Sequence, residues 1–364
     1  MLCISQAIVV ASAPPSVAAP ADFDHAALAS NALNRFIRPA YARLATAATT
    51  LEKAATTLCE TPSPTALDAT RTAFRGAVVA WGRIEIMRFG PIIEDNRFER
   101  IFFWPDRKGI GERQIRRLLA NRRAAALSPD KLAQKSVALQ GLTALEQVLY
   151  GAEADELSKP PAQSFRCSYV RAVSANLVQL TTQVREAWAS DSGFAKTWLE
   201  PGNTNSVYLS GRETTLELVK ALDHGLEFVR DERLAPAIGM GPTRRVMRPI
   251  LWRSKLSMTL IHANIAGLND LLFKAGLAEA TRASARDGEG KQIDGALSSI
   301  GSEFALTLQM SGALAREADP FARPDIRRRL IPVGYPLRNI RANAVGLIKA
   351  AAGLSIGFNA SDGD

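Results

Sequence analysis

The stretch that most constrains the fold is Ser136-Val-Ala-Leu-Gln-Gly-Leu-Thr-Ala-Leu-Glu-Gln-Val-Leu-Tyr-Gly151. At the angular step of an α-helix, Ala138, Leu142, Leu145 and Leu149 fall on one apolar stripe, and Val137, Gly141, Ala144 and Val148 form a second stripe of smaller residues beside it. Together they cover well over half the circumference, so the sequence predicts an interior helix that other elements must surround. Gly141 costs about 1 kcal/mol of helix propensity relative to Ala, a cost expected where another backbone passes close by. Thr143, Glu146 and Tyr150 line up along the flank of the apolar face. A carboxylate at the edge of a buried helix needs a partner.

A second carboxylate raises the same question. Phe74 to Phe89 reads as a helix whose apolar stripe is Phe74, Val78, Trp81 and Phe89, with Glu85 among them. Unpaired and buried, Glu85 would cost several kcal/mol or shift its pKa upward. It must meet a cation, a metal or a hydrogen-bonding cluster, and the plainest solution is an i, i+3 ion pair with Arg88. Glu85 and Glu146 are expected to converge on one polar pocket with Trp81, Asp106 and Arg253 nearby, because a shared cluster would satisfy both charges.

The chain has 364 residues, 47% hydrophobic but only 7% aromatic, without alternating β-branched runs. That balance favours helices over sheets, and the length allows one large or two medium domains. The net charge of +9 permits attraction to acidic surfaces. Arg113-Gln-Ile-Arg-Arg-Leu-Leu-Ala-Asn-Arg-Arg123 lacks interleaved aromatics and any nucleic-acid module, so it reads as a solvated helix face, and no nucleic-acid partner is expected. No window approaches the roughly 20 apolar residues of a membrane span. The first 21 residues combine an apolar run, Leu2 to Val10, with small residues at Ala11-Ser-Ala13 and Ala18-Ala-Pro-Ala21. They resemble a secretory leader, although its usual positive start is missing. Cys59 and Cys167 remain beyond it, either paired or buried and free.

After the leader, helices are expected over Asp22–Ile37 and from Pro39 to about Cys59, then across the Trp81/Glu85 segment to Gly90-Pro91. An irregular stretch rich in aromatic and charged residues, Ile92 to Asp106, precedes helices near 110–125, 130–150 and up to Trp188. A boundary at Pro201-Gly202-Asn203 divides the chain into residues 22–200 and 201–364. The second part has helices near 206–230, 255–276, 291–314 and 333–351. Two sets of about four helices suggest two bundles.

Trp81-Gly-Arg-Ile-Glu85, Phe89-Gly-Pro91, Phe103-Trp-Pro-Asp106, Gly141-Leu-Thr-Ala-Leu-Glu146 and, later, Trp252-Arg-Ser-Lys-Leu256 occur in this order. Together they resemble the imelysin-like family of bacterial exported proteins across nearly the whole mature chain. The resemblance implies an all-α fold of two four-helix bundles packed together, a site near their interface and a periplasmic, envelope location. It also links the chain both to peptidase activity and to iron acquisition. The family's GxHxxE motif keeps Gly141 and Glu146 here, but Thr143 stands in place of the histidine. A histidine and a glutamate three apart share one helix face and can share a metal. Threonine is no substitute for imidazole. His25, His224 and His262 lie outside any HExxH or HxxE context.

Three functions are compatible with these residues. One is a non-enzymatic exported protein that binds a small ligand, iron or another divalent cation, with another envelope protein as a candidate partner. Its expected binding set is Trp81, Glu85, Arg88, Trp104, Asp106, Gly141, Thr143, Glu146, Arg253 and Ser254, with Glu85, Asp106 and Glu146 as hard oxygen ligands for a metal. Another is a metallopeptidase with Glu146 as general base, which needs a complete metal shell and an open coordination position. The third is a degenerate site that only joins the bundles through Glu–Arg pairs using Arg88, Arg97 and Arg253. The missing histidine sets the first above the second.

Overall fold

The computed structural model describes residues 23–106, 108–122, 127, 129–161, 164–189 and 193–354. The expected leader lies outside the described residues. Among the described residues all regular structure is helical, with no strand.

The first part of the chain builds α1 (His25–Asn31), α2 (Arg38–Glu60), α3 (Pro64–Gly82), α4 (Arg97–Ile101), α5 (Ile110–Asn121), α6 (Pro129–Ala133), α7 (Gly141–Tyr150), α8 (Phe165–Ala189) and α9 (Phe194–Leu199). A π-helical segment, Ala32–Ile37, joins α1 to α2, so the two expected helices form one continuous run. α2 packs along both α3 and α8, and α7 lies against α3 and α8. Ser63 caps α3 through its side chain with Pro64 at the first helical position, the arrangement that the Thr-Pro-Ser-Pro break favours. Cys59 at the end of α2 and Cys167 at the start of α8 form a disulfide with Cα atoms 5.5 Å apart.

The second part contributes α10 (Gly211–Glu227), a π-helical segment at Phe228–Leu234, the short α11 (Ala235–Ala237), α12 (Ser257–Phe273), α13 (Leu277–Ala283), α14 (Gly290–Ala315), α15 (Pro324–Arg328) and α16 (Gly334–Ala351). α12 packs against α10 and α14, and α16 closes the group against α10 and α14. α12 is apolar on nearly every face because it also packs on α3. Like the packing of α1 on α10, the α3–α12 contact forms a seam between the first and second parts of the chain. The backbones come very close there: a Cβ on Gly267 would lie 2.3 Å from the carbonyl oxygen of Arg83. Arg83 also reaches Asp270 of α12 at 2.9 Å.

Two expected boundaries move. The helix carrying Trp81 ends at Gly82 rather than near Phe89, and Glu85 sits in the turn after it. The reason is tertiary: Asn264 of α12 donates its amide to the Gly82 carbonyl at 2.8 Å, and Ile84 and Met87 are drawn into the core. The central helix begins at Gly141 rather than near residue 130, after α6 and a 3-10 turn at Val137–Leu139. Gly141 has φ +69°, and a Cβ there would lie 2.2 Å from the Ile101 carbonyl oxygen. The close backbone expected from its sequence position is α4.

Candidate functional site

Glu146 is buried on α7 with its carboxylate turned to the loop before α12. Its Oε1 accepts the backbone N–H and the hydroxyl of Ser254, both at 2.9 Å. Ser254 is held in a tight turn between two non-glycine residues of left-handed backbone, Leu251 (φ +54°) and Lys255 (φ +59°). Such strained positions persist where the surrounding structure fixes them, and they concentrate at binding sites. Burial pushes the Glu146 carboxyl above the usual carboxylate range, against the opposing pull of the Ser254 donors and of Arg253. The Ser254 hydroxyl also lies 3.1 Å from the Leu251 carbonyl, so its single proton faces two acceptors.

Glu146 and Thr143 face a cavity of about 230 Å³. α7 forms one wall, the Phe103–Asp106 loop and the start of α5 a second, and residues Arg248 to Arg253 a third. The Thr143 hydroxyl is buried without a hydrogen-bond partner. Asp106 accepts the N–H groups of Ile110 and Gly111 at 2.7 and 2.8 Å, so its carboxylate serves the N-terminus of α5. Glu112 pairs with Arg253 at 2.9 Å, and Arg253 lies over the Trp252 ring at 4.4 Å. Glu112, Gln147 and Arg253 also line an adjoining groove of about 680 Å³, which places the Glu112–Arg253 pair at the junction of the two spaces.

Glu85 lies elsewhere. It pairs with Arg233 and accepts the Asn264 amide at 3.0 Å, while Arg233 also donates to Asn264 Oδ1 at 3.3 Å. The Arg233 guanidinium is enclosed by the rings of Phe102, Trp104 and Phe228 at 5.5, 5.2 and 4.7 Å. Arg88, the plainest partner for Glu85 by helix spacing, instead stacks on Phe98 and Phe228. Arg97 pairs with Glu94 and Asp95 in its own turn. Trp81 is buried against Phe98 and Phe102.

The structure therefore gathers Trp104, Asp106, Thr143, Glu146 and Arg253 around one cavity, with Ser254 behind it. Glu85, Trp81 and Arg88 belong to the neighbouring seam, and Gly141 supports α7 from the side facing α4. Trp104 is common to both clusters. Among the described residues no three His, Cys, Asp or Glu side chains stand where they could hold a metal ion together. Glu85, Asp106 and Glu146 are accordingly not one ligand set, because each carboxylate is committed to different partners. Sequence reasoning missed Arg233 and Asn264. Arg233 hides in the charged run Arg230-Asp-Glu-Arg233, which reads as surface, whereas the solitary Asn264 in the apolar run of α12 was a legible sign of a buried polar contact.

An all-helical fold with a small polar cavity, walled by one central helix, the Phe103–Asp106 loop and the loop before α12, defines the class of this protein. The imelysin family model matches residues 37–319, and the chain belongs to that family. It is 26% identical over 206 residues to iron-regulated protein A of Synechococcus elongatus, a match covering 56% of this chain and 52% of that protein. The matched stretch thus spans about half the length of that relative. The fold is similar to that of an imelysin-like protein from Psychrobacter arcticum, with a TM-score of 0.73 at 21% identity, covering 92% of this chain and 97% of that one. A second solved structure, from Parabacteroides distasonis, gives 0.71 at 14% identity, covering 92% and 96%.

Proposed function

We propose that this protein is an exported imelysin-family binding protein that receives a small polar ligand in the Glu146 cavity, in an iron-related role, and that it does not hydrolyse peptides. The observation that carries this reading is Thr143, which lines the cavity and has a buried, unpartnered hydroxyl, at the motif position where the family has its histidine. Metal-assisted hydrolysis needs several protein ligands and an open coordination position. Around Glu146 the other carboxylates, Asp106 and Glu112, are occupied by the α5 N-terminus and by Arg253.

This donor set does not fit a bare cation. A hydroxyl, a carboxyl biased toward its neutral form and the guanidinium groups of Arg248 and Arg253 suit a ligand that brings its own carboxylate or hydroxyl oxygens. A ferric ion already wrapped in a carboxylate chelator satisfies both this chemistry and the iron link suggested by the relative's name. Export is supported by the Cys59–Cys167 disulfide, a bond at home in oxidising compartments such as the periplasm.

The test is thermal unfolding and calorimetric titration of protein purified without chelator, using ferric citrate, citrate alone and zinc chloride. Ferric citrate should stabilise the wild type with the concentration dependence of a specific ligand, and Thr143→Val and Arg253→Gln should each abolish that effect. No stabilisation by ferric citrate overturns the ligand assignment. Chelator-sensitive cleavage of a protein substrate, abolished by Glu146→Gln, overturns the non-peptidase reading.

A further inference from the structure

From residue 234 to residue 269 the chain contains no Asp or Glu. Within that stretch Arg244, Arg245, Arg248, Arg253 and Lys255 fall close together on the loop that leads into α12. The same loop holds large apolar side chains in water: Met240 is 55% exposed, Val246 53%, Met247 52% and Trp252 39%. Single exposed apolar residues are ordinary, but a group of them on one loop marks an interaction surface.

The loop is an organised one. The N–H groups of Met240 and Met247 donate to the carbonyls of Ala235 and Pro236 at 2.8 and 2.9 Å, and Arg244 N–H closes a turn on Gly241 at 2.9 Å. Folded back on α11 in this way, it holds Met240 and the Val246–Met247 pair outward. Arg248 and Arg253 flank the Trp252 ring at 4.7 and 4.4 Å. Arg253 has Glu112 as a partner, whereas Arg244 and Arg245 make no ion pair or side-chain hydrogen bond among the described residues.

We propose that this loop docks the protein on an anionic lipid bilayer, with Met240, Val246, Met247 and Trp252 entering the headgroup layer while Arg244 and Arg245 meet lipid phosphates. Charge complementarity selects the occupant. A bilayer is negative at its surface and apolar just beneath, which matches cations interleaved with apolar tips. A protein interface ordinarily offers both signs of charge for register, and this stretch has only one. Arginine suits phosphate by its planar fork, and tryptophan suits the boundary between water and acyl chains. Because Arg248, Trp252 and Arg253 also line the Glu146 cavity, docking turns the mouth of the cavity toward the membrane.

The experiment is co-sedimentation of the full chain with phosphatidylglycerol-containing vesicles and with pure phosphatidylcholine vesicles, at low and high salt. Binding is expected to the anionic vesicles and to weaken as salt screens the charges. Removing one surface cation weakens such binding roughly fivefold, so Arg244→Gln/Arg245→Gln should weaken it about 25-fold. Arg286→Gln/Lys291→Gln, the same loss of charge at exposed residues away from the loop, should leave it nearly unchanged. Met247→Ser should lower the binding that survives high salt. Equal binding to both vesicle types, equal loss in the two charge variants, or retention by an immobilised acidic protein without any vesicle binding would each overturn the proposal.

Discussion

Arg233 reaches across the α3–α12 seam to Glu85, and both side chains are sealed from solvent, at 0% and 2% exposure. Asn264 fastens the pair by contacting both members and, in addition, the last carbonyl of α3. Two charges taken so far from water depend on each other.

Arg233→Met should therefore destabilise the protein by about 3–5 kcal/mol, because it strands the Glu85 carboxylate. Adding Glu85→Gln to that variant should recover much of the loss. Urea unfolding of the two single variants and the double variant measures the coupling. Strictly additive losses would show that the pair is not a unit.

The Glu146 carboxyl is held above the ordinary carboxylate range by burial, so the folded protein binds its proton more tightly than the unfolded chain does. Below the unfolded value both states are protonated there and the group is silent. As pH rises through the folded value, ionisation of the buried group erodes stability. Glu146→Gln keeps an oxygen for both Ser254 donors and never ionises. It should be more stable than wild type at neutral pH and no more stable in acid. A gain that persists unchanged in acid would refute this assignment.

Thr143→His places an imidazole three residues before Glu146 on the cavity side of α7. The variant should acquire affinity for zinc that the wild type lacks, by about tenfold or more, since paired ligands on one helix face can share a metal. Calorimetric titration checks it, with Thr143→His/Glu146→Gln as the control. Equal zinc binding by the wild type would count against the account given of the cavity.

Reduction of Cys59–Cys167 should cost about 2–5 kcal/mol, the usual range for a native bridge, and the cross-link joins residues 108 positions apart. Chemical unfolding with and without reductant provides the number. An unchanged midpoint would mean that the α2–α8 contact holds without its covalent tie.

Much of this architecture was legible in local pattern. The two stripes of the Ser136–Gly151 stretch announced a buried helix, and the lone Gly141 announced a close backbone, because both signals are written in neighbouring residues. The all-helical class followed from composition and from apolar spacing. Family resemblance, carried by ordered motifs around Trp81, Trp104, Glu146 and Trp252, pointed to Ser254 and Arg253, and these meet Glu146 and Glu112 in the structure. What local pattern could not supply was pairing at long range. Helix spacing offers Glu85 the nearby Arg88, and a shared pocket offers it Arg253, yet Gly82 ends the helix first and Arg233 arrives from 148 residues away. The π-helical segment that carries Arg233 has no signature in a sequence of charged residues. Asp106 lines the cavity, but nothing in its local sequence announced it as the residue that holds the start of α5.

Trp104 shares a wall between the Arg233 cluster and the cavity, and this gives the protein a spectroscopic property of its own. Of its five tryptophans, Trp81, Trp188 and Trp198 are fully buried, whereas only Trp104 and Trp252 line the cavity. The interior three form a constant background to the intrinsic fluorescence. Any change in emission on filling the cavity must come from the remaining two, and Trp252→Phe divides the signal between the inner wall and the loop.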